Sequence, residues 1–377
     1  MLNKSLKYWI WLNSLPEVGA VRARKLIELF MDPELLWKAT SSEIFSIPFI
    51  NDALKSAILN RELKARANEH FKLLNSKGIS VVPINHSDYP GILRKIYDPP
   101  VLLYVNGTLS DEELSIAVVG SRRASSYGLG LAEYISRELA GLGITIVSGL
   151  ATGIDSTAHK GAINAGGRTV AVLGSGIDIV YPPENKGLYE QVTHHGAVIS
   201  EFTPGFPPIP SNFPSRNRII SGLSAGVVVI EANERSGSLI TANFAIEQGR
   251  EVFAVPGNIN NYNSKGTNNL LKDGAKIVTC IDDILEEVLS FKNLYRSIQD
   301  DKAAISNKPQ TNALGLEENK IIDILKIEPM HIDMLANKCG LDIRTVNSLV
   351  TLLEVSGLVE LLPGKVLKLN DKFTAQW

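Results

Sequence analysis

The sequence predicts an α/β protein. A doubly wound parallel sheet is flanked by an N-terminal helical domain and a C-terminal winged helix. Three observations predict it. Between residues 79 and 290, short runs rich in Val and Ile alternate with helix-length segments, as expected for parallel strands buried on both faces. Residues 1–78 carry apolar residues at helical spacing. After a polar stretch at 291–315, residues 316–377 read as three helices and an alternating hairpin.

Size and composition bound the problem. A chain of 377 residues with 44% hydrophobic residues is long enough for two or three domains with sizeable cores. The formal net charge of −2 excludes a polybasic coat for nucleic acid, so any anion site must be local. Two cysteines far apart, Cys280 and Cys339, exclude a disulfide framework and fit a reducing cytoplasm. The short apolar stretch at the start runs into Pro16 and Glu17, so neither a signal peptide nor a membrane span is expected.

In the N-terminal domain two stretches look alike. Leu15-Pro-Glu-Val-Gly19 and Ile47-Pro-Phe-Ile-Asn51 each place a Pro and a tight turn before a helix. They resemble a pair of helix-hairpin-helix units (a SAM-like arrangement), whose turn N–H groups can hold a DNA phosphate. Asn51 stands where the first copy has Gly19, so the second match is weaker. Residues 1–78 hold 12 Lys/Arg against 8 Asp/Glu. DNA contact and plain helical packing both fit this region.

In the core, strands are expected at 116–119, 144–147, 169–173, 197–199, 226–230 and 251–255. Edge strands are expected at 81–83 and 101–105. Helices are expected near 127–142, 155–166, 184–194, 215–223, 238–248 and 267–273. Ligands bind such sheets at the carboxyl ends of the strands, so the residues after each strand carry the argument. They include Gly120, Ser121, Arg122 and Arg123; Gly149 and Gly153; Phe213, Arg216, Asn217 and Arg218; Arg235, Gly237 and Ser238; and Lys265. Glycine lets a backbone approach a ligand closely. Helix N-termini attract anions, and guanidinium forks bind phosphate in a bidentate way and stack on bases. Residues 113–290 hold 13 Lys/Arg against 17 Asp/Glu, so arginines in these loops are placed rather than frequent.

No standard mononucleotide motif is present. GxxxxGK[ST] is absent, and Gly120-Ser-Arg-Arg puts bulky side chains where a dinucleotide pyrophosphate needs clearance. No metal-ligand cluster or nucleophile elbow appears, and no cofactor is expected. His159 reads as a structural histidine beside Asp155 rather than a base, and Asp155 as a helix cap. Phe213 and Tyr127 fit either a base-stacking surface or core.

The runs GSRRASSYG, SGLATGIDSTAH, GSGIDIVYP, SEFTPG, FPSRNRIISGLS, RSGSLITANFAIEQGREVFAVPGN and KGTNNLLKDGA resemble, in order, the core of the DNA processing protein A family (DprA, also called Smf). The resemblance implies an extended Rossmann core that binds single-stranded DNA without being an enzyme, usually as a homodimer. It implies protection of incoming strands in natural transformation and loading of the RecA recombinase onto them. The expected lining is Gly120, Ser121, Arg122, Arg123, Gly149, Gly153, Phe213, Arg216, Asn217, Arg218, Gly237, Ser238 and Lys265, with Arg122 as the main phosphate contact. Arg235 is an alternative brace through Glu231 or Glu201.

The C-terminal segment HIDMLANKCGL-D-IRTVNSLVTLLEVS reads as a helix-turn-helix. Residues 315–377 carry 7 Lys/Arg against 9 Asp/Glu, a poor charge balance for a duplex reader, so a protein-interaction role is at least as well supported. Two other classes compete for the whole chain. One is an enzyme cleaving nucleoside monophosphates, for which the loop at 235–249 lacks the PGG run. The other is a winged-helix transcription regulator.

Overall fold

The computed structural model describes residues 3–110, 113–292, 295, 316–355, 358–362 and 364–369. The chain divides after Ile298 into two compact units.

The first unit opens with six helices, α1 (Leu6–Ser14), α2 (Gly19–Phe30), α3 (Pro33–Lys38), α4 (Ser41–Phe45), α5 (Asp52–Leu59) and α6 (Arg61–Ser76). The starts of α3 to α6 are fixed by side chains that accept otherwise orphaned N–H groups. Asp32 caps α3 with Pro33 behind it, Thr40 and Glu43 form a capping box on α4, and Asn51 and Asn60 cap α5 and α6. The two look-alike stretches are therefore closed differently. Gly19 takes a φ of +56° at the start of α2, whereas Asn51 caps α5 through its side chain. Trp11 and Trp37 meet edge to face at 5.2 Å. The helices share one hydrophobic cluster with the sheet, from Trp9 and Leu26 to Val81, Tyr104 and Val198.

The sheet has nine strands: β1 (Ser80–Pro83), β2 (Leu102–Gly107), β3 (Ser115–Val119), β4 (Thr145–Ser148), β5 (Thr169–Val172), β6 (Gly196–Ser200), β7 (Gly226–Val229), β8 (Glu251–Ala254) and β9 (Lys276–Ile277). Their order is β1-β2-β6-β5-β4-β3-β7-β8-β9. The seven from β6 to β9 are parallel, and β2 and β1 add an antiparallel edge. The central strands are buried along their length, as their unbroken apolar runs predict. Helices α8 (Ser126–Gly141), α9 (Ile154–Asn164), α10 (Lys186–His195), α11 (Asn212–Gly222), α12 (Gly237–Glu247), α13 (Lys265–Lys272) and α14 (Asp282–Glu287) follow the strands, after a one-turn α7 (Gly91–Arg94) in the lead-in. This is the expected doubly wound sheet. Its order reverses between β3 and β7, the place where such sheets open a ligand crevice.

Two details differ from the sequence reading. Helix α11 begins at Asn212 rather than near 215, because Pro214 falls in its first turn, where its missing N–H is no loss. Phe291, expected to open the linker, is buried in the core cluster with Val288 and Ile284. The rest of the expected linker, apart from Lys292 and Tyr295, lies outside the described residues.

The second unit holds α15 (Leu316–Leu325), β10 (Met330–His331), α16 (Ile332–Cys339), α17 (Ile343–Val355), β11 (Val359–Leu362) and β12 (Val366–Leu369). The strands pair in the order β10-β12-β11. Gly340 ends α16 in the left-handed region with a φ of +67°, giving the turn into α17. This is a winged helix. The Pro363 half of the expected wing turn lies outside the described residues.

Candidate functional site

A cavity of about 840 Å³ opens at the carboxyl edge of the sheet, around the β3/β7 reversal. A smaller pocket of about 90 Å³ adjoins it on the β4 side. The loop after β3 forms the centre. Ser121 N–H donates to the Glu231 carbonyl at 2.7 Å, and Ile154 N–H donates to the Ser121 carbonyl at 3.2 Å. The Asn263 amide donates to the Arg123 carbonyl at 2.9 Å. The buried Glu231 carboxylate accepts from the N–H of Ser125 at 2.9 Å and from its hydroxyl. A backbone pinned by β7, α9 and the loop after β8 is preorganised for a ligand.

From this fixed loop Arg122 and Arg123 project as exposed side chains. Among the described residues neither has a carboxylate partner. Arg122 stacks over the Phe213 ring at 5.4 Å, and Phe213 lies 5.4 Å from the Tyr181 ring at a tilt of 38°. Half-buried Phe213 is seated against Gly174, where a Cβ would come within 2.8 Å of its ring. Together they form a cation beside a partly open aromatic surface.

Arg216 makes the floor. It is buried, and it donates to the carbonyls of Gly149 at 2.9 Å and of Val172, with its Nε reaching Asn217. Burial and the charge of Arg122 push its pKa down to about 10, although Asp155 acts the other way, so it stays protonated at neutral pH. Burial raises the pKa of Asp155, which Arg216 and the Gly149 N–H offset only in part. The floor sets a buried guanidinium beside a buried carboxyl in a poorly solvated place, where charges act strongly.

Gly120, Gly149 and Gly153 of the expected site are spacers, whereas Gly237 borders open space. Gly149 leaves room for the Arg216 guanidinium, which a Cβ would meet at 2.5 Å, and Gly120 leaves room for Ile154. Gly153 has a φ of +78°, and a Cβ there would lie 2.3 Å from the Ser121 carbonyl oxygen. Gly153→Ala is expected to destabilise the fold by about 1–3 kcal/mol and to push α9 off the arginine loop. Urea unfolding of the variant measures this, and an unchanged midpoint would show that the loop tolerates the shift.

Of the residues expected at the site, Gly120, Ser121, Arg122, Arg123, Phe213, Arg216, Asn217, Gly237 and Ser238 line the large cavity. Gly149 lines the small pocket, and Gly153 supports the loop from behind. Arg218 and Lys265 are not brought in. Two residues along a helix turn the side chain to the far face, so Arg218 leaves the cavity. There it is bound by Glu201 at 2.7 Å and Asp98 at 2.9 Å. Burial opposes its charge, but Glu201 and Asp98 outweigh that and raise its pKa. Lys265 is exposed outside the lining. The brace through Glu231 exists, but to Ser125 and Asn263 rather than to Arg235, which is exposed. His159 is buried against Thr169, and burial depresses its pKa to about 3. It is neutral and lines neither of these two cavities. The lining also takes in Tyr181, Asn233, Ser236, Ile240, Thr241, Tyr262 and Asn263. Their position after β5, β7 and β8 was the only signal the sequence offered for them.

The family model of DNA recombination-mediator protein A matches residues 80–289, and that of the DprA winged helix domain matches residues 306–365. The DNA processing protein DprA of Bacillus subtilis is 40% identical over 274 residues, covering 70% of this chain and 92% of that protein. Protein Smf of Synechocystis is 31% identical over 97% of this chain and 98% of its own. The X-ray structure of DprA from Streptococcus pneumoniae superposes with a TM-score of 0.65 at 36% identity, covering 76% of this chain and 99% of that one. A Helicobacter pylori DNA processing protein A, whose structure concerns its single-stranded DNA binding mode, matches with a TM-score of 0.50 at 30% identity, over 59% of this chain and 96% of that one. The ordered loop motifs, the sheet that carries them and these matches lead to one conclusion: the chain belongs to the DNA recombination-mediator protein A (DprA/Smf) family.

Proposed function

We propose that the chain binds single-stranded DNA at the carboxyl edge of its sheet, protects it, and loads RecA onto it during natural transformation or homologous recombination. It acts as a homodimer through the Rossmann core. The observation that carries the DNA reading is the pair of exposed arginines, Arg122 and Arg123, with no carboxylate partner among the described residues, beside the Phe213–Tyr181 rings. Single strands are held by local positive charge plus aromatic surfaces, with little sequence preference. A duplex keeps its bases stacked inside and offers none to Phe213. The arginine loop is braced before any ligand arrives, so little ordering cost falls on binding. The H. pylori relative supports the choice of strand. RecA loading and the homodimer are supported by family membership alone.

The same geometry speaks against base-releasing catalysis. Asp155 lines the cavity but is only 7% exposed, its carboxyl held by the Gly149 N–H, and His159 is neutral and bonded to Thr169. No His/Cys/Asp/Glu cluster fit for a metal occurs among the described residues. Incubation with nucleoside monophosphates is expected to release no free base by chromatography. Release that disappears in Asp155→Asn would establish an enzyme instead. For loading, RecA nucleation on oligonucleotides precoated with single-strand-binding protein is expected to lose its lag when the chain is added. An unchanged lag would remove the mediator role and leave binding intact.

A further inference from the structure

The cavity has two unlike sides. Toward β4 and β5 it presents Arg122, Arg216, Phe213 and Tyr181. Toward β7 and β8 it presents the uncharged Asn233, Ile240, Thr241, Tyr262 and Asn263, with Arg123 tied to Asn263 at the junction. Tyr262 is 60% exposed and Ile240 37%. A neutral wall with an open phenol ring suits the face of a nucleobase rather than a phosphate.

This wall is rigidly tied to the arginine loop. The 3₁₀ turn Tyr262–Ser264 is capped by the Asn261 side chain. Ala232 N–H donates to the Asn263 carbonyl at 2.8 Å, and the Asn263 amide holds the Arg123 carbonyl. Tyr262 is thus fixed in place relative to Arg123. The loops after β5 and β8 are four strand spacings apart, roughly 19 Å at about 4.8 Å per spacing. Phe213 packs on the first of these loops at Gly174 and Tyr181, and Tyr262 lies in the second, so the pair suits more than one nucleotide.

We propose that Tyr262 is a second base-stacking wall, so that the cavity takes successive nucleotides of one strand. One base lies against Phe213 and Tyr181, the linking phosphate lies over Arg122 and Arg123, and a following base lies against Tyr262. This rests on the reading that the cavity binds single strands, and it adds the direction in which the strand crosses the sheet edge.

The test is the affinity of the full chain for a length series of oligothymidylates. Tyr262→Ala is expected to weaken binding of the longer oligomers by about 5- to 150-fold, with a loss that grows with length. The salt dependence stays the same because no phosphate contact is removed. Tyr262→Phe keeps the ring and the affinity. Tyr97→Ala, at an exposed tyrosine outside the cavity, binds as the parent does. A Tyr262→Ala protein with parental affinity at every length overturns the proposal, and so does a loss equal at all lengths. Either result leaves the Arg122 site standing if Arg122→Ala still weakens binding at every length. A parent chain that binds no single strand overturns both.

Discussion

Arg122→Ala is expected to weaken single-stranded DNA binding by about 2–3 kcal/mol, roughly 30- to 150-fold, while leaving the unfolding midpoint unchanged. The arginine is exposed and makes no ion pair among the described residues, so the folded state loses little with it. The complex loses a charge-assisted phosphate contact and a cation that stacks on Phe213. The slope of log affinity against log salt should fall by about 0.7 for each single-strand phosphate released. Arg122→Lys keeps the charge but not the planar fork, and should fall between the two. Fluorescence anisotropy with a labelled oligothymidylate checks all three. Parental affinity in Arg122→Ala would mean that the strand runs elsewhere.

Arg218→Ala is expected to act on stability instead, destabilising the fold by about 3–5 kcal/mol, because it strands a carboxylate in a poorly solvated site. Arg218 is 8% exposed in its side chain and Glu201 16%. The guanidinium meets both oxygens of Glu201 and one of Asp98. The Glu201 carbonyl in turn accepts from the Asn13 amide at 2.8 Å, so this ion cluster joins α11 and the loop before β2 to the N-terminal helices. Arg218→Met with Glu201→Leu should recover part of the loss, since it removes both charges rather than one. Urea unfolding provides the measurement. A single variant as stable as the parent would show that water reaches Glu201 and that the cluster is dispensable.

The contrast between these arginines marks how far the sequence could be read. The β-branched runs fixed β3 to β8 because a strand buried on both faces leaves an unbroken apolar signature. The two-residue β9 and one-turn α7 are too short to leave one. The loop motifs gather at one edge of the sheet and give the correct family. They did not separate Arg216 from Arg218. That separation comes from their two-residue spacing on α11, which turns the two side chains to opposite faces. It depends as well on Glu201 and Asp98, which lie 17 and 120 residues away from Arg218. Arg216 was expected in the lining and is there, but its guanidinium is committed to the carbonyls of Gly149 and Val172. Tyr262 and Asn263 belong to a polar, asparagine-rich turn that no periodicity distinguishes. Only the fold brings them to the wall facing Phe213.

Equilibrium binding of the full chain to single- and double-stranded oligonucleotides of matched sequence, across a salt series, tests the central claim most directly. Tighter binding to the single strand is expected at every salt concentration, with a slope worth a few phosphates and little dependence on base sequence. Equal or tighter binding to the duplex, or a marked preference for one duplex sequence, would contradict it.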